Sequence, residues 1–569
     1  MPVELFTFSK GLNARKNPLM LEDGELFTAS NIRYALDGQV SCRTPKSAVS
    51  TIAVGTINGL FRYINYVMLG DGENVRWKWD LDGYCGLYVP PDENFTLLGT
   101  LGGSQRHRYA SYGDQIFIAN GNKGKVFDNG NFYDWAIPAP TIAPRGAAGS
   151  GGSPNGTYSL YYTYHITFPS GITHETAPSP AGSVTVSGTN IAWRSVAPCP
   201  YSGSGVVIHR KLYRYSTALG EIYYVTTIAN NTATGITDPY SDATLQANDI
   251  LDTESYSPIP DGFVDICEWL ERIFGIKGNS LYYTEPYLPF TTTLTNQIEI
   301  AKSGVDLVGI IPWGDQLYIA EPGTWKRLQG LTSATWQVRK TYADRGIIGT
   351  YTLKATPYGL LGLWYDGLYL FDGTTSKSIT TGKIQDSTFT SITSPKSCYA
   401  EWDGFRYYFF YPSTGTTIDS CLVADFRKYP KIEFYNEDFL ATAYCFHKET
   451  GIKYYGKSGL HYGEGTSEVI LMSLQTGDRS MKDIIQEKIP TYLYYDINTG
   501  GKDVTVTFYA NGVAQSPTVT LNTAVRERGR IEDIGAFRGY YFSVGISCLD
   551  AKDVVIYEPW AVNFDIVGV

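Results

Sequence analysis

The sequence predicts an all-β chain: a β-propeller carrying an inserted fibronectin- or immunoglobulin-like sandwich and ending in a C-terminal β-sandwich. Three observations lead there. A cassette, made of an apolar run, a Gly/Asp turn and an aromatic strand, recurs as YASYGDQIFIANG at 109–121, IPWGDQLYIAEPG at 311–323 and LWYDGLYLFDG at 363–373. The composition, with 59 Gly, 45 Tyr, 14% aromatic and only 18% charged residues, is that of turn-rich, aromatic-rich strands. The cassettes are interrupted by a stretch of different texture, which opens on a Pro/Gly/Ser run and continues as an alternating strand.

Each clear cassette turns at Gly113-Asp114, Gly314-Asp315 or Asp366-Gly367, residue pairs suited to the positive φ of a two-residue hairpin. Looser copies lie at 266–283, 400–415 and 442–463. Hairpins repeated at such spacing cannot bury both faces alone, and radial closure into a propeller removes their exposed edges. The first 45 residues carry turn punctuation without periodicity and are expected to wrap over other parts. With the short aromatic strands up to Trp135 they form the first segment, 1–138, which holds the first blades.

The run PAPTIAPRGAAGSGGSPNG from Pro138 reads as a flexible boundary. Tyr158, Leu160, Tyr162, Tyr164, Ile166 and Phe168 then occupy every second position, as in a half-buried sandwich strand. Residues 139–258 are therefore assigned to the insert and 259–475 to the remaining blades. Residues 476–569 are assigned to the terminal sandwich, where alternating Val504, Val506 and Phe508 precede an Asn511-Gly512 turn and the alternating run Tyr540 to Cys548. One short helix is expected at Ser480 to Lys488, with Ser480 as cap and Asp483 at the capping-box position.

Chemistry-bearing patterns are sparse. A propeller glycosidase needs two carboxylates about 5 to 10 Å apart, and Glu268, Glu271, Asp315, Glu321 and Asp344 are available; Asp114, Asp315 and Asp366, however, sit in or beside turns, where Asp caps its own backbone. The six histidines (His107, His165, His174, His209, His447, His461) show no metal-ligand spacing, and the eight scattered cysteines form no CxxC knuckle, so neither a metal nor a cofactor is expected. GxSxG and GxGxxG motifs are absent, which disfavours dinucleotide and α/β-hydrolase chemistry. The basic clusters Arg106-His107-Arg108, His209-Arg210-Lys211 and RERGR at 526–530 could touch phosphate, but being short they read rather as solvated strand ends or ion pairs between subunits. A net charge of −10 argues against tight DNA binding but suits a conduit to which a polyanion does not adhere. No apolar run approaches the roughly 18 residues of a membrane span, and MPVELFTFSK lacks signal-peptide character, so synthesis in a host cytoplasm is expected.

The opening GLNARKNPLMLEDGELFTASNIRYALDGQVSCRTP resembles the start of tail nozzle (tail tubular B-type) and tail-hub, packaged-DNA-stabilising proteins of short-tailed bacteriophages, matched at Gly11, Pro18, Asp23-Gly24, Asn31, Gly38, Arg43 and Pro45. YADRGIIGTYTLKATPYGLLGLWYDGLYLFDG at 342–373 and RERGRIEDIGAFRGYYFSVGIS near the C-terminus are similar to further segments of those proteins, so the resemblance touches about half of the chain. It implies a non-enzymatic virion tail protein: a homo-oligomeric, hexameric ring beneath portal-adaptor proteins, in contact with fibres or spikes. Such a ring retains the genome and passes double-stranded DNA without reading its sequence, and Gly11, Pro18, Asn31, Gly38, Arg43 and Pro45 form its assembly motif. The insert at 139–258 departs from the simplest members. The rival reading from composition is a propeller lectin or glycosidase acting on host surface polysaccharide.

Overall fold

In the computed structural model, which describes residues 3–49, 55–79, 95–103, 105–448, 450–481, 484–532, 534 and 536–567, the chain is almost entirely β. Among the described residues seven blades surround one axis. Blade 1 holds Ile57–Tyr63, Tyr66–Asp71, Asn74–Trp79 and Thr96–Thr100; blade 2 holds Arg108–Tyr112, Gln115–Ala119, Gly124–Asp128 and Asn131–Asp134. Blades 3 to 6 begin with the inner strands Asp265–Trp269, Gly309–Trp313, Lys354–Thr356 and Tyr399–Trp402, and each runs outward through three more antiparallel strands. Blade 7 has Ala443–Phe446, Lys453–Lys457 and Leu460–Glu464, and its outermost strand is Lys46–Ala48, from the other end of the chain. The inner strands follow one another round the axis, and that of blade 7 lies against that of blade 1, so the ring is closed.

Second strands explain why the cassettes read as apolar runs. Gln115–Ala119 is buried throughout: Ile116 and Ile118 enter the core shared with blade 1, while Phe117 and Ala119 enter the core toward blade 3. In blade 4 Leu317 and Ile319 face blade 3, and Tyr318 and Ala320 face blade 5. A strand with a blade on either side needs apolar residues on both faces. The cassettes are not in phase, however. Gly113-Asp114 and Gly314-Asp315 join first to second strands, whereas the third cassette turns at Tyr365-Asp366, between the second and third strands of blade 5.

Between blades 2 and 3 the insert forms two sheets. One contains Arg145–Ala148, Ile191–Arg194 and Ile236–Asp238; the other is built around the long strand Asn155–Thr167. The alternation from Tyr158 to Phe168 is the buried face of that strand. The Pro/Gly/Ser run is not a free tether, because Arg145–Ala148 within it is an ordered strand. A Cβ on Gly146 would lie 2.5 Å from Val184 Cβ, so the glycine is there to let the two sheets approach. The insert also shares its core with the propeller. Phe168 stacks on Phe290 of blade 3 at 4.4 Å, Trp135 donates to the Pro289 carbonyl at 2.8 Å, and Ser170 donates to Asp128 through both its amide and its hydroxyl.

Two further sheets form the terminal sandwich, and residues 476–569 do not suffice for it. Val3–Phe6 pairs with Trp560–Ile566, and Ile32–Tyr34 and Val40–Cys42 complete that sheet. In the second sheet Glu25–Ser30 pairs with Met472–Thr476, and the sheet runs on into blade 6 through Ser30 and Asn436. The first residues therefore do not lie over other parts; they are strands of them. Asn511-Gly512 makes the expected tight hairpin, with φ of 52° and 78°. The helix expected at Ser480 to Lys488 is not formed by its described residues: Met481 has φ 52° and Lys488 opens the strand Lys488–Asn498, while Lys482 and Asp483 lie outside the described residues.

His174 sits at the junction of insert and blade 3, with Nδ1 3.1 Å from the Thr291 hydroxyl, and burial holds its pKa down from 6.5 to about 3. The folded state keeps this imidazole neutral, so its contribution is complete above pH 6.5 and is lost as pH falls from there toward 3. Between pH 7 and pH 5 that loss amounts to about 2 kcal/mol. Denaturant titrations across this interval should show His174→Gln losing about that much less stability than the unmodified chain; identical slopes would refute the assignment.

Candidate functional site

Two places concentrate polar side chains that the sequence singled out: the propeller axis and the seam where the N-terminal strands meet blades 6 and 7. The axis is set by strand alternation. In Arg106-His107-Arg108 the first and third residues face the axis and the second points away. His107 is buried, its Nε2 lies 3.2 Å from the Gly72 carbonyl oxygen, and burial lowers its pKa to about 4. Arg108 Nε donates to Asp265 Oδ1 at 2.6 Å, and Asp265 Oδ2 accepts the amide of Ile310 at 3.0 Å, which links blades 2, 3 and 4. Lys354 and Glu401 pair at 2.7 Å across blades 5 and 6, and Arg62 of blade 1 hydrogen-bonds the Tyr454 hydroxyl of blade 7.

Arg106 differs from these cations. Its Nη1 donates to the Thr442 carbonyl at 2.6 Å, and its guanidinium lies 4.2 Å from the Tyr399 ring centroid and 5.9 Å from that of Tyr351. No carboxylate pairs with it among the described residues. The axial cavity, about 310 Å³, is lined by Arg62, Arg106, Arg108 and Lys354 against one described acid, Glu401. A net charge of −10 therefore coexists with a cationic axis. These side chains cross-brace the hole and leave no bore for a nucleic-acid duplex. The basic triplet is neither a solvated strand end nor an ion pair between subunits.

The other basic clusters are likewise used within the chain. Arg210 is fully buried and donates to the carbonyls of Val196, Asn230 and Ala233; Lys211 pairs with Glu175 at 2.6 Å. Arg526 and Arg528 converge on Asp496, each at 2.6 Å. The carboxylates considered for sugar hydrolysis are divided between opposite ends of the blades. Glu268, Glu271 and Asp315 lie at turns between first and second strands, where Glu268 accepts the Glu271 amide at 3.2 Å. Glu321 lies at a turn between second and third strands and pairs with Lys326 at 2.8 Å, and Asp344 pairs with Arg345 at 3.1 Å. Among the described residues no cluster of three or more His, Cys, Asp or Glu is placed to hold a metal, and the seven described cysteines are free.

The six motif residues Gly11, Pro18, Asn31, Gly38, Arg43 and Pro45 all lie at contacts between the N-terminal strands and the rest of the chain. Asn31, at φ 57°, accepts Arg43 Nε and the Asp438 amide on Oδ1, both at 3.0 Å, and donates Nδ2 to the Leu471 carbonyl at 2.6 Å. Arg43 is fully buried and grips Glu468 with both terminal nitrogens, at 2.8 and 2.7 Å, while reaching Asp438 at 2.7 Å. Lys46 pairs with Glu437 at 3.4 Å and lies 4.3 Å from the Phe439 ring centroid; burial, only partly offset by Glu437, lowers its pKa to about 8. Gly11 has φ +85°, and a Cβ there would come within 2.9 Å of the Phe434 amide nitrogen. Gly38 lies against Glu558, Pro18 offers its carbonyl to the Asp478 amide at 2.9 Å, and Pro45 offers its own to Gly465 at 3.0 Å. Glu437, Asp438 and Glu468, the acids that complete this clasp, carry no sequence signal of their own, because they lie some 400 residues away from their partners.

Removing Arg43 leaves the partly buried Glu468 and the Asn31 side-chain carbonyl oxygen without their partner, a loss of about 1–3 kcal/mol. Thermal melts should place Arg43→Met well below the unmodified chain, with Arg43→Lys recovering little because lysine cannot reproduce the bidentate grip. Arg526→Met, at a partly exposed pair, should cost under about 1 kcal/mol. Equal melting of the Arg43→Met and Arg526→Met variants would sink the clasp.

No family model and no curated protein matches the chain. Among solved structures it is similar to the computationally designed protein Ika8 at TM-score 0.30 and 8% identity, covering 73% of this chain and 98% of that one. The WD40 domain of Pan2 from Neurospora crassa aligns at TM-score 0.24 and 6% identity, over 73% of this chain and 90% of that one. An extracellular domain of a hybrid two component system from B. thetaiotaomicron aligns at TM-score 0.25 and 9% identity, over 92% of this chain and 77% of that one.

Proposed function

We propose that the chain is a virion structural protein of a short-tailed bacteriophage: a subunit of a tail nozzle or hub ring beneath the portal-adaptor, which retains the packaged genome and forms the channel for its ejection. The observation that carries this reading is an edge strand of the terminal sandwich with apolar side chains exposed. Val3–Phe6 is the edge strand of its sheet, with Val3 and Leu5 both 54% exposed. The register sets Leu5, Ala561 and Tyr494 side by side, and Val3, Asn563 and Tyr492 in the next row. Arg528 and Arg530 border the stripe on the neighbouring strand. An apolar centre with a polar rim on an unpaired edge is the composition of a seam between subunits.

Two further features agree with it. The propeller hole is braced shut, so a passage for DNA lies on an axis shared by several copies. The acidic balance of the chain gives a polyanion little to adhere to in such a passage, and the chemistry is architectural, with no catalytic residue assigned.

Native mass spectrometry and negative-stain imaging test the reading. The expected result is a ring-shaped homo-oligomer, formed alone or on a portal-adaptor complex, with net negative potential on its inner wall. Leu5→Glu combined with Tyr494→Glu, both at exposed positions, should shift the ring to monomers without lowering the melting temperature. A stable monomer that releases reducing sugar from a polysaccharide would overturn it.

A further inference from the structure

Each blade's inner strand begins at the same face of the propeller, so the residues just before those strands gather round the axis. Thr56, Arg106, Tyr351, Lys396 and Thr442 precede the inner strands of blades 1, 2, 5, 6 and 7. They line a second cavity of about 520 Å³, distinct in volume from the axial one but sharing Asn58, Arg106 and Tyr351 with it. Thr416 and Thr417, from the loop between the second and third strands of blade 6, complete its wall. No aspartate or glutamate is among the described lining residues.

We propose that this axial mouth binds a small hydroxylated oxyanion, an acidic sugar or a phosphate, with Arg106 as its charge partner at the floor and Lys396 at the rim. Arg106 is the reason to expect a ligand. Its guanidinium is half-buried with no carboxylate beside it among the described residues, whereas every other described cation of the axial wall has a carboxylate or a phenol hydroxyl as partner. The Thr442 carbonyl and the Tyr399 ring hold the guanidinium in place while satisfying only part of its five N–H groups. An oxyanion would accept the remainder as charge-assisted hydrogen bonds.

The rest of the lining suits a hydroxylated body that carries the charge, because hydroxyls from Thr56, Thr416 and Thr417 can donate and accept. The volume lies within the range of small-molecule pockets and exceeds what a bare ion would fill. Lys396 is exposed at the mouth, positioned to draw an anion inward. The site does not depend on the quaternary reading above, since all of its residues come from one propeller.

Isothermal titration of the full chain at low ionic strength tests it, with sodium glucuronate, glucose and inorganic phosphate as probes. Saturable glucuronate binding is expected, with glucose at least about tenfold weaker because the charge-assisted contact is lost. Arg106→Gln and Lys396→Glu should each weaken binding about tenfold or more, and Lys340→Glu, on the outer strand of blade 4, should leave it unchanged. Lys396 is exposed, so that variant reports on the site even if Arg106→Gln misfolds. Phosphate binding as tightly as glucuronate, with the same dependence on Lys396, would identify the oxyanion source as phosphate and uphold the site. Absence of saturable binding by both anions, or binding indifferent to both substitutions, would overturn the proposal.

Discussion

Closure of the propeller by Lys46–Ala48 is the contact on which the rest of the structure depends. Blade 7 has three strands of its own, and its fourth comes from the opposite end of the sequence, paired through Tyr462 with Ala48 and Glu464 with Lys46. Until that strand docks, blade 7 is an open edge and the cores on either side of it are incomplete. The same N-terminal stretch supplies Glu25–Ser30, Ile32–Tyr34 and Val40–Cys42 to the terminal sandwich, so ring closure and sandwich assembly are one event. Pairings across more than 400 residues are entropically expensive to form, and a chain built this way folds slowly compared with one of local contacts.

This explains why a buried ionic network sits at the seam. An apolar strand of three residues could slide by one or two positions along Leu460–Glu464 with little penalty. Arg43, held by Asn31 and clamped on Glu468 and Asp438, and Lys46, held by Glu437 between aromatic rings, permit one register. Buried charge is poor at adding net stability but strict about geometry, and here it is placed where geometry is least determined by hydrophobic pattern. The network and the axial braces obey the same logic. Arg108 with Asp265 and Lys354 with Glu401 fix neighbouring blades against each other at the axis, where inner strands are too short and too crowded for a large apolar core.

What the sequence made legible follows from the range over which each signal acts. Hairpin turns such as Gly113-Asp114 and Asn511-Gly512 are written in adjacent residues, and the alternation from Tyr158 to Phe168 is written in one strand; both read directly. The phase of the blades was hidden because two-sided burial makes second and third strands alike in composition, so LWYDGLYLFDG matched the other cassettes while occupying a different pair of strands. The run after Pro138 looked like a tether because glycine marks both flexible chain and close sheet contact, and Gly146 serves the second purpose. Arg106, Arg108 and Arg210 looked solvated because their partners, Thr442, Asp265 and Val196, are recognisable only once the chain has folded. Gly11, Asn31, Arg43 and their companions were picked out by resemblance alone, and the clasp supplies a physical reason for the pattern they form.

Charge is arranged against the average of the chain. The chain as a whole carries a net charge of −10, while cations crowd the axial wall and its mouth. Cations are brought together where they can lock blades, and Arg108 and Lys354 are each neutralised by an acid of a neighbouring blade, Asp265 and Glu401. Arg106 breaks that arrangement. It has no acid partner among the described residues, and it lies where the axial cavity meets the mouth. A propeller that is closed as a conduit can thus remain open as a receptor at one end. The two proposed roles fall on separate parts of the molecule, the sandwich edge for contact between copies and the axial mouth for a small anion, while the clasp holds the chain to itself.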